Sequence, residues 1–149
     1  MKSSNSSFLG IKLIDLSDST SVASSGTNVQ TLTPPPGFVY QIITLYCVIP
    51  AIGGASGNHN LEIQNANLTS GNYLKIEGTD GAIATISYNK LLADSENPTA
   101  EREQVMVIVN QLICNNSNPI VFTYSNDSDT AQAGTRTIEL LVKVYKEIL

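Results

Sequence analysis

The chain has 149 residues, 42% of them hydrophobic and only 14% charged, with a formal net charge of −5. That length encloses one hydrophobic core, and an acidic balance with no cluster of Lys or Arg excludes nucleic-acid binding by phosphate neutralisation. No apolar stretch approaches the roughly 20 residues of a membrane span, and no basic amphipathic segment marks a membrane-surface role.

Residues 1–36 read as an extended N-terminal arm. Met1 to Ser7 is polar and lacks the apolar stretch of a secretory signal, so synthesis in the cytoplasm is expected. Leu9, Ile11 and Leu13, followed by Leu16, alternate as one short strand. Ser17 to Asn28 is rich in turn formers. Pro34, Pro35 and Pro36 before Gly37 predict a stiff, polyproline-like lead-in without backbone donors. Such an arm either pairs with its own domain or reaches a neighbour. Leu9, Ile11, Leu13, Pro34, Pro35 and Pro36 are therefore candidate attachment residues.

Residues 37–149 read as one β-sandwich domain. Phe38 to Ile49 is a long strand, apolar on both faces and hence central, and Pro50 ends it. After the small-residue loop Ala51 to Asn58, short strands are expected at Asn60–Gln64, Asn72–Glu77 and Ala82–Tyr88, with a turn at Asp80-Gly81. Lys90 to Glu103 is an exposed loop or the one helical segment. Val105 to Cys114 and Ile120 to Tyr124 look like a hairpin turned by Asn115-Asn116-Ser117-Asn118-Pro119, and Ser125 to Gly134 reads as polar and flexible. The last strand, Thr135 to Ile148, alternates: Ile138, Leu140, Val142 and Val144 on one face, Glu139, Lys143, Tyr145 and Glu147 on the other. Leu141 is the apolar exception on that outer face. Leu141 and Tyr145 among charges are candidate assembly residues, since tyrosine and apolar side chains are favoured at interfaces. About eight short strands and almost no helix predict an all-β, jelly-roll-like β-sandwich.

No catalytic, cofactor-binding or metal-ligating set emerges. His59 is the only histidine, and without a Gly-x-Ser-x-Gly elbow it reads as a turn or interface residue rather than a catalytic base. Asn126-Asp127-Ser128-Asp129-Thr130 has the alternating oxygens of a calcium loop but not the glycine and bidentate glutamate of an EF-hand, so a solvated turn is the better account. Asp94, Glu96, Glu101 and Glu103, with Arg102 among them, read as an exposed polar loop. Gly53-Gly54-Ala55-Ser56-Gly57 lacks the Lys-Ser/Thr of a phosphate loop. Cys47 and Cys114 lie in apolar, β-branched runs and read as buried thiols, a disulfide between facing strands being the alternative.

Leu32-Thr33-Pro34-Pro35-Pro36-Gly37 leading into a long strand, Ser56-Gly57-Asn58-His59-Asn60-Leu61 after a small-residue loop, and the stretch from Asn126 to Arg136 before the final strand form a pattern over residues 32–149. It resembles the small β-sandwich structural proteins of tailed bacteriophage virions. The resemblance implies a non-enzymatic capsid decoration, head fibre, collar or tail component. Its location would be the virion, after synthesis in the host cytoplasm. Its partners would be copies of itself, often three, and other virion proteins, with the arm as attachment element and no active-site residues to carry over. Two alternatives stand beside it. One is a self-assembling filament or appendage subunit whose arm adds a strand to its neighbour. The other is a carbohydrate- or ligand-binding module, weakened by the absence of Trp.

Overall fold

The computed structural model describes residues 6–50, 58–65, 74–79, 84–89, 103–104 and 112–147. They form ten strands: β1 Ser6–Asp15, β2 Gly26–Leu32, β3 Phe38–Ile49, β4 Asn58–Asn65, β5 Leu74–Thr79, β6 Ala84–Asn89, β7 Glu103–Gln104, β8 Ile113–Asn115, β9 Ile120–Asn126 and β10 Thr137–Glu147. One sheet runs β1-β10-β3-β6, with β8 also on β3; the other runs β2-β9-β4-β5-β7. With the short β7 and β8 set aside, the antiparallel pairs nest inside one another: β1 with β10, β2 with β9, β3 with β6, β4 with β5. That is a long hairpin rolled up so that alternate pairs fall in opposite sheets, the connectivity of a jelly roll. The protein is thus an all-β sandwich, as the strand pattern predicts.

The core lies between the sheets and follows from period-two burial. Ile138, Leu140 and Val142 of β10 point inward, as do Leu61 and Ile63 of β4 and Ile120, Phe122 and Tyr124 of β9, all buried. Each fully buried Leu, Ile or Phe contributes about 2 kcal/mol of transfer free energy. The apolar character of both faces of β3 has a local cause. Its register with β10 slips between Leu141 and Val142, which lie opposite Thr44 and Ile42, so Ile43 is the extra residue of a bulge. Inward positions are therefore Tyr40 and Ile42 before the bulge and Leu45, Cys47 and Ile49 after it.

Several expectations are corrected here. The arm pairs with its own domain, the first of its two alternatives: residues 6–15, where one strand is expected, and residues 26–32, where a turn-rich stretch is expected, are strands of the two sheets paired with β10 and β9 of their own chain. The three prolines do not form a straight spacer. The Phe38 N–H donates to the Pro35 carbonyl (3.1 Å) and Gly37 has φ +81°, which makes Pro35–Phe38 a tight turn with Pro36 and Gly37 where a type II turn favours them. Pro34 is buried, and its carbonyl accepts from Asn116 Nδ2 at 3.3 Å.

Of the expected hairpin between residues 105–114 and 120–124, residues 105–111 lie outside the described residues, and the part that is described does not form it: β8 pairs with β3 and β9 lies in the other sheet. Both edges of β9 are occupied, by β2 and β4, whereas β3 has free edge beside β6. The Asn115–Asn118 turn, closed by two reciprocal backbone hydrogen bonds of 3.2 Å, carries the chain from one sheet to the other.

Cys47 and Cys114 are free and buried, and burial pushes both thiols up, Cys114 to about 12. The glycine-rich loop at 53–57, the Asp80-Gly81 turn and the acidic positions 94, 96 and 101 lie outside the described residues.

Candidate assembly surface

The outward row of β10 is Glu139, Leu141, Lys143 and Tyr145, because the alternate residues are committed to the core. Antiparallel pairing places a second row beside it on β1: Asp15 opposite Glu139, Leu13 opposite Leu141, Ile11 opposite Lys143 and Phe8 opposite Tyr145. On the other side β3 supplies Tyr46, Thr44, Gln41 and Val39 at the same four levels. Directly opposed residues share a face, so this is one outer surface three strands wide. Its exposed apolar members are Phe8 at 54%, Ile11 at 60% and Leu13 at 68%, with Tyr46 at 39%, while Leu141, Tyr145 and Val39 are half-buried. Phe8 and Tyr145 stack at a tilt, ring centroids 5.6 Å apart at 56°, and the Tyr145 hydroxyl donates to Gln41 Oε1 at 3.3 Å.

The structure thus gathers five of the eight candidate residues in one area. Ile11, Leu13, Leu141 and Tyr145 lie on the face itself. Leu9 lies at its margin, the extra residue of a bulge between Phe8 and Gly10, and is 54% exposed. Pro34, Pro35 and Pro36 form no part of the face. They belong to the turn below it, where the Gly37 carbonyl accepts from the Glu147 N–H at 2.8 Å. Strand addition would require the arm to be free, and from Ser6 onward it is paired within its own chain.

The other chemistry-bearing residues meet at the end of the roll where the β1–β2 and β9–β10 connections lie together. Arg136 is fully buried. Its Nη2 donates to the Thr20 carbonyl (2.8 Å) and to Asp18 Oδ2 (3.2 Å), and its guanidinium carbon lies 4.9 Å from the centre of the Tyr124 ring. Hydrogen bonds from the Thr20 backbone and side chain, and then the guanidinium, bring the Asp18 carboxyl down to about 2. Burial pushes the Tyr124 phenol up to about 12.

His59 is neither a turn residue nor an exposed interface residue. It lies within β4, completely buried, with Nδ1 3.2 Å from the Tyr124 hydroxyl. Nor is Asn126 to Thr130 simply a solvated turn, or the longer stretch from Ser125 to Gly134 simply a polar, exposed loop. Asn126, Ser128 and Gln132 are buried, with Asn126 Nδ2 donating to the carbonyls of Val22, Ala23 and Thr130. Gln132 exchanges two backbone hydrogen bonds with Val22, both 2.8 Å, and its side chain donates to the Pro50 carbonyl at 2.9 Å. This polar set ties three loops to one another through side chains that are already bonded, a stabilising arrangement for buried polar groups. Sequence reasoning missed it because Asn, Ser, Gln and Asp in a row carry the composition of a loop whether their side chains face inward or outward.

No family model matches the sequence, and comparison with curated proteins gives no match. Among solved structures, the chain is similar to a chain of the virus-like particle of the extra small virus of the giant freshwater prawn Macrobrachium rosenbergii. The identity is 14% over 95% of this chain and 82% of that one, with a TM-score of 0.41. It is also similar to a family 11 carbohydrate-binding module from Clostridium thermocellum, in complex with a β-1,3-1,4-mixed-linked tetrasaccharide. That identity is 15% over 95% of this chain and 98% of that one, with a TM-score of 0.28. Both likenesses are distant, and the fold assignment rests on the strand order itself.

Proposed function

We propose that the chain is a non-enzymatic structural subunit that assembles, with copies of itself and with other proteins of a virion, through the outer face of the β1-β10-β3 sheet. The observation that carries this reading is the exposure of Phe8, Ile11 and Leu13 beside Leu141 and Tyr145 on one continuous face. Contiguous exposed apolar surface rimmed by polar groups is what interaction sites present, whereas single exposed apolar residues need no explanation. The jelly roll is used by capsid and lectin domains alike and does not decide between them; the surface chemistry favours protein contact. Phe8 and Tyr145 stand at 56° to each other and so do not form a flat platform for a sugar ring. Within a virion, a capsid decoration, head fibre, collar or tail component is the place that the sequence resemblance supports.

The test is negative-stain electron microscopy of the purified chain beside a Leu13→Asp/Leu141→Asp variant. Discrete particles larger than one subunit are expected from the natural chain and single subunits from the variant, with unchanged far-ultraviolet circular dichroism. Assembly that survives the double substitution overturns the reading, and a reproducible hit in a glycan screen would move the chain to the carbohydrate-binding alternative.

A further inference from the structure

Two ways of joining copies are open to a sheet that ends in β1: continuing the sheet from its edge, or stacking on its face. The edge is poorly suited to pairing. Leu9 bulges out of register next to Gly10, whose φ is +145°, and this interrupts the strand near its start. Lys12 lies opposite the buried Val142, so it belongs to the inward-facing set of β1, yet it is exposed. A bulge and an inward-pointing lysine are the devices by which edge strands resist strand addition. The face carries no such protection.

The central row of the face also matches itself. Along β10 the outward residues run Glu139, Leu141, Lys143, so acid and base stand at equal steps on either side of a leucine. Rotating the strand by half a turn about an axis through Leu141, lying in the plane of the face and crossing the strands, brings Glu139 over Lys143 of the second copy and Lys143 over its Glu139. The same rotation lays Leu13 on Leu13 and Leu141 on Leu141. Neither Glu139 nor Lys143 makes an ion pair among the described residues, so both are available. Sheets stacked about 10 Å apart bring outward side chains of this length into contact.

We infer that a second copy of this chain seats on the outer face, β10 antiparallel over β10, about a two-fold axis that crosses the strands at Leu13 and Leu141, with Glu139 and Lys143 pairing reciprocally. The inference rests on the reading of this face as the assembly surface and adds the partner and its geometry. A closed two-fold pair is self-complementary by construction, and the charges fix its register while the leucines supply the buried area.

The experiment is sedimentation equilibrium of the full chain and of four variants: Glu139→Lys, Lys143→Glu, the double exchange, and Leu13→Asp. The natural chain is expected to be a dimer. Each single charge substitution should weaken it by about tenfold, because each places like charges face to face twice. The double exchange should restore it, an outcome that a merely structural role for either residue would not produce. A monomeric or trimeric natural chain, or a double exchange no stronger than the single variants, overturns the two-fold pair. If charge exchange is without effect but Leu13→Asp dissociates the oligomer, the geometry fails and the assembly surface stands. If Leu13→Asp also leaves the oligomer intact, both fail.

Discussion

Three carbonyl oxygens, of Val22, Ala23 and Thr130, lie within 3.2 Å of Asn126 Nδ2, while Oδ1 accepts from the backbone N–H and the hydroxyl of Ser128 at 3.1 and 2.6 Å. An amide is the one short side chain that can donate at one end and accept at the other, and at this fully buried position both ends are used. The same atoms decide between a calcium loop and a structural plug. A cation would draw carbonyl and side-chain oxygens toward a common centre, whereas here carbonyls are drawn to a donor. Asn126→Asp keeps the size, removes the donor and adds a charge facing three carbonyls. We expect it to lower stability by about 3 kcal/mol, the cost of buried polar groups left unpaired, seen as a shift in urea midpoint. In a calcium loop the added carboxylate would instead strengthen binding, so a melting temperature that rises with calcium more in the variant than in the natural chain would refute the plug.

At the scale of elements, the Pro35–Phe38 turn shows how local chemistry sets the register of the sandwich. Gly37 at φ +81° lets the chain reverse out of β2, and its carbonyl then receives the Glu147 N–H, which fixes the end of β10 against the start of β3. Gly37→Ala forces a Cβ into the left-handed region and is expected to destabilise the fold by about 1 kcal/mol; equal urea midpoints for the two proteins would show that the turn adapts without strain. Elements such as β10 and β3 are legible in the sequence because a strand with one face in a core must alternate, and because long apolar runs outweigh local turn signals. β2 is not legible. Gly26, Thr27 and Asn28 open it with turn formers, and only Leu32 among its residues is fully buried, so almost no hydrophobic period exists to be read. The candidate face was half legible. Leu141 and Tyr145 stand out against the charges of their own strand, but that Phe8, Ile11 and Leu13 lie beside them depends on pairing between the two ends of the chain, which no local pattern encodes. For the same reason the turn at Asn115–Pro119 does not disclose its partners: a turn announces that the chain reverses, not which strand receives it.

At the scale of the whole molecule, the roll has β1 and β10 side by side in one sheet and the β1–β2 and β9–β10 connections together at one end, and the Asp18–Arg136–Tyr124 contact joins the connection after β1 to β9 and to the connection that leads into β10. Because Arg136 is buried, its charge is tolerated only while Asp18, the Thr20 carbonyl and the Tyr124 ring surround it, so the protonation states of these neighbours are coupled to folding. Asp18 titrates at about 2 in the fold, below its ordinary carboxyl value of 3.8. It therefore stabilises the fold fully above the ordinary value and loses that contribution as pH falls from there through about 2. Tyr124 has the opposite sign. Its phenol is raised from 10.0 to about 12 in the fold, so its contribution is complete below 10 and is lost as pH rises through 12. Urea midpoints measured across pH should trace a plateau with a fall on each side. Asp18→Asn should lower the plateau while flattening the acid limb, because the neutral amide no longer changes charge there, and Tyr124→Phe should flatten the alkaline limb. An acid limb of unchanged slope in Asp18→Asn would assign the acid sensitivity to other carboxylates and overturn the coupling of Asp18 to the stability of the roll.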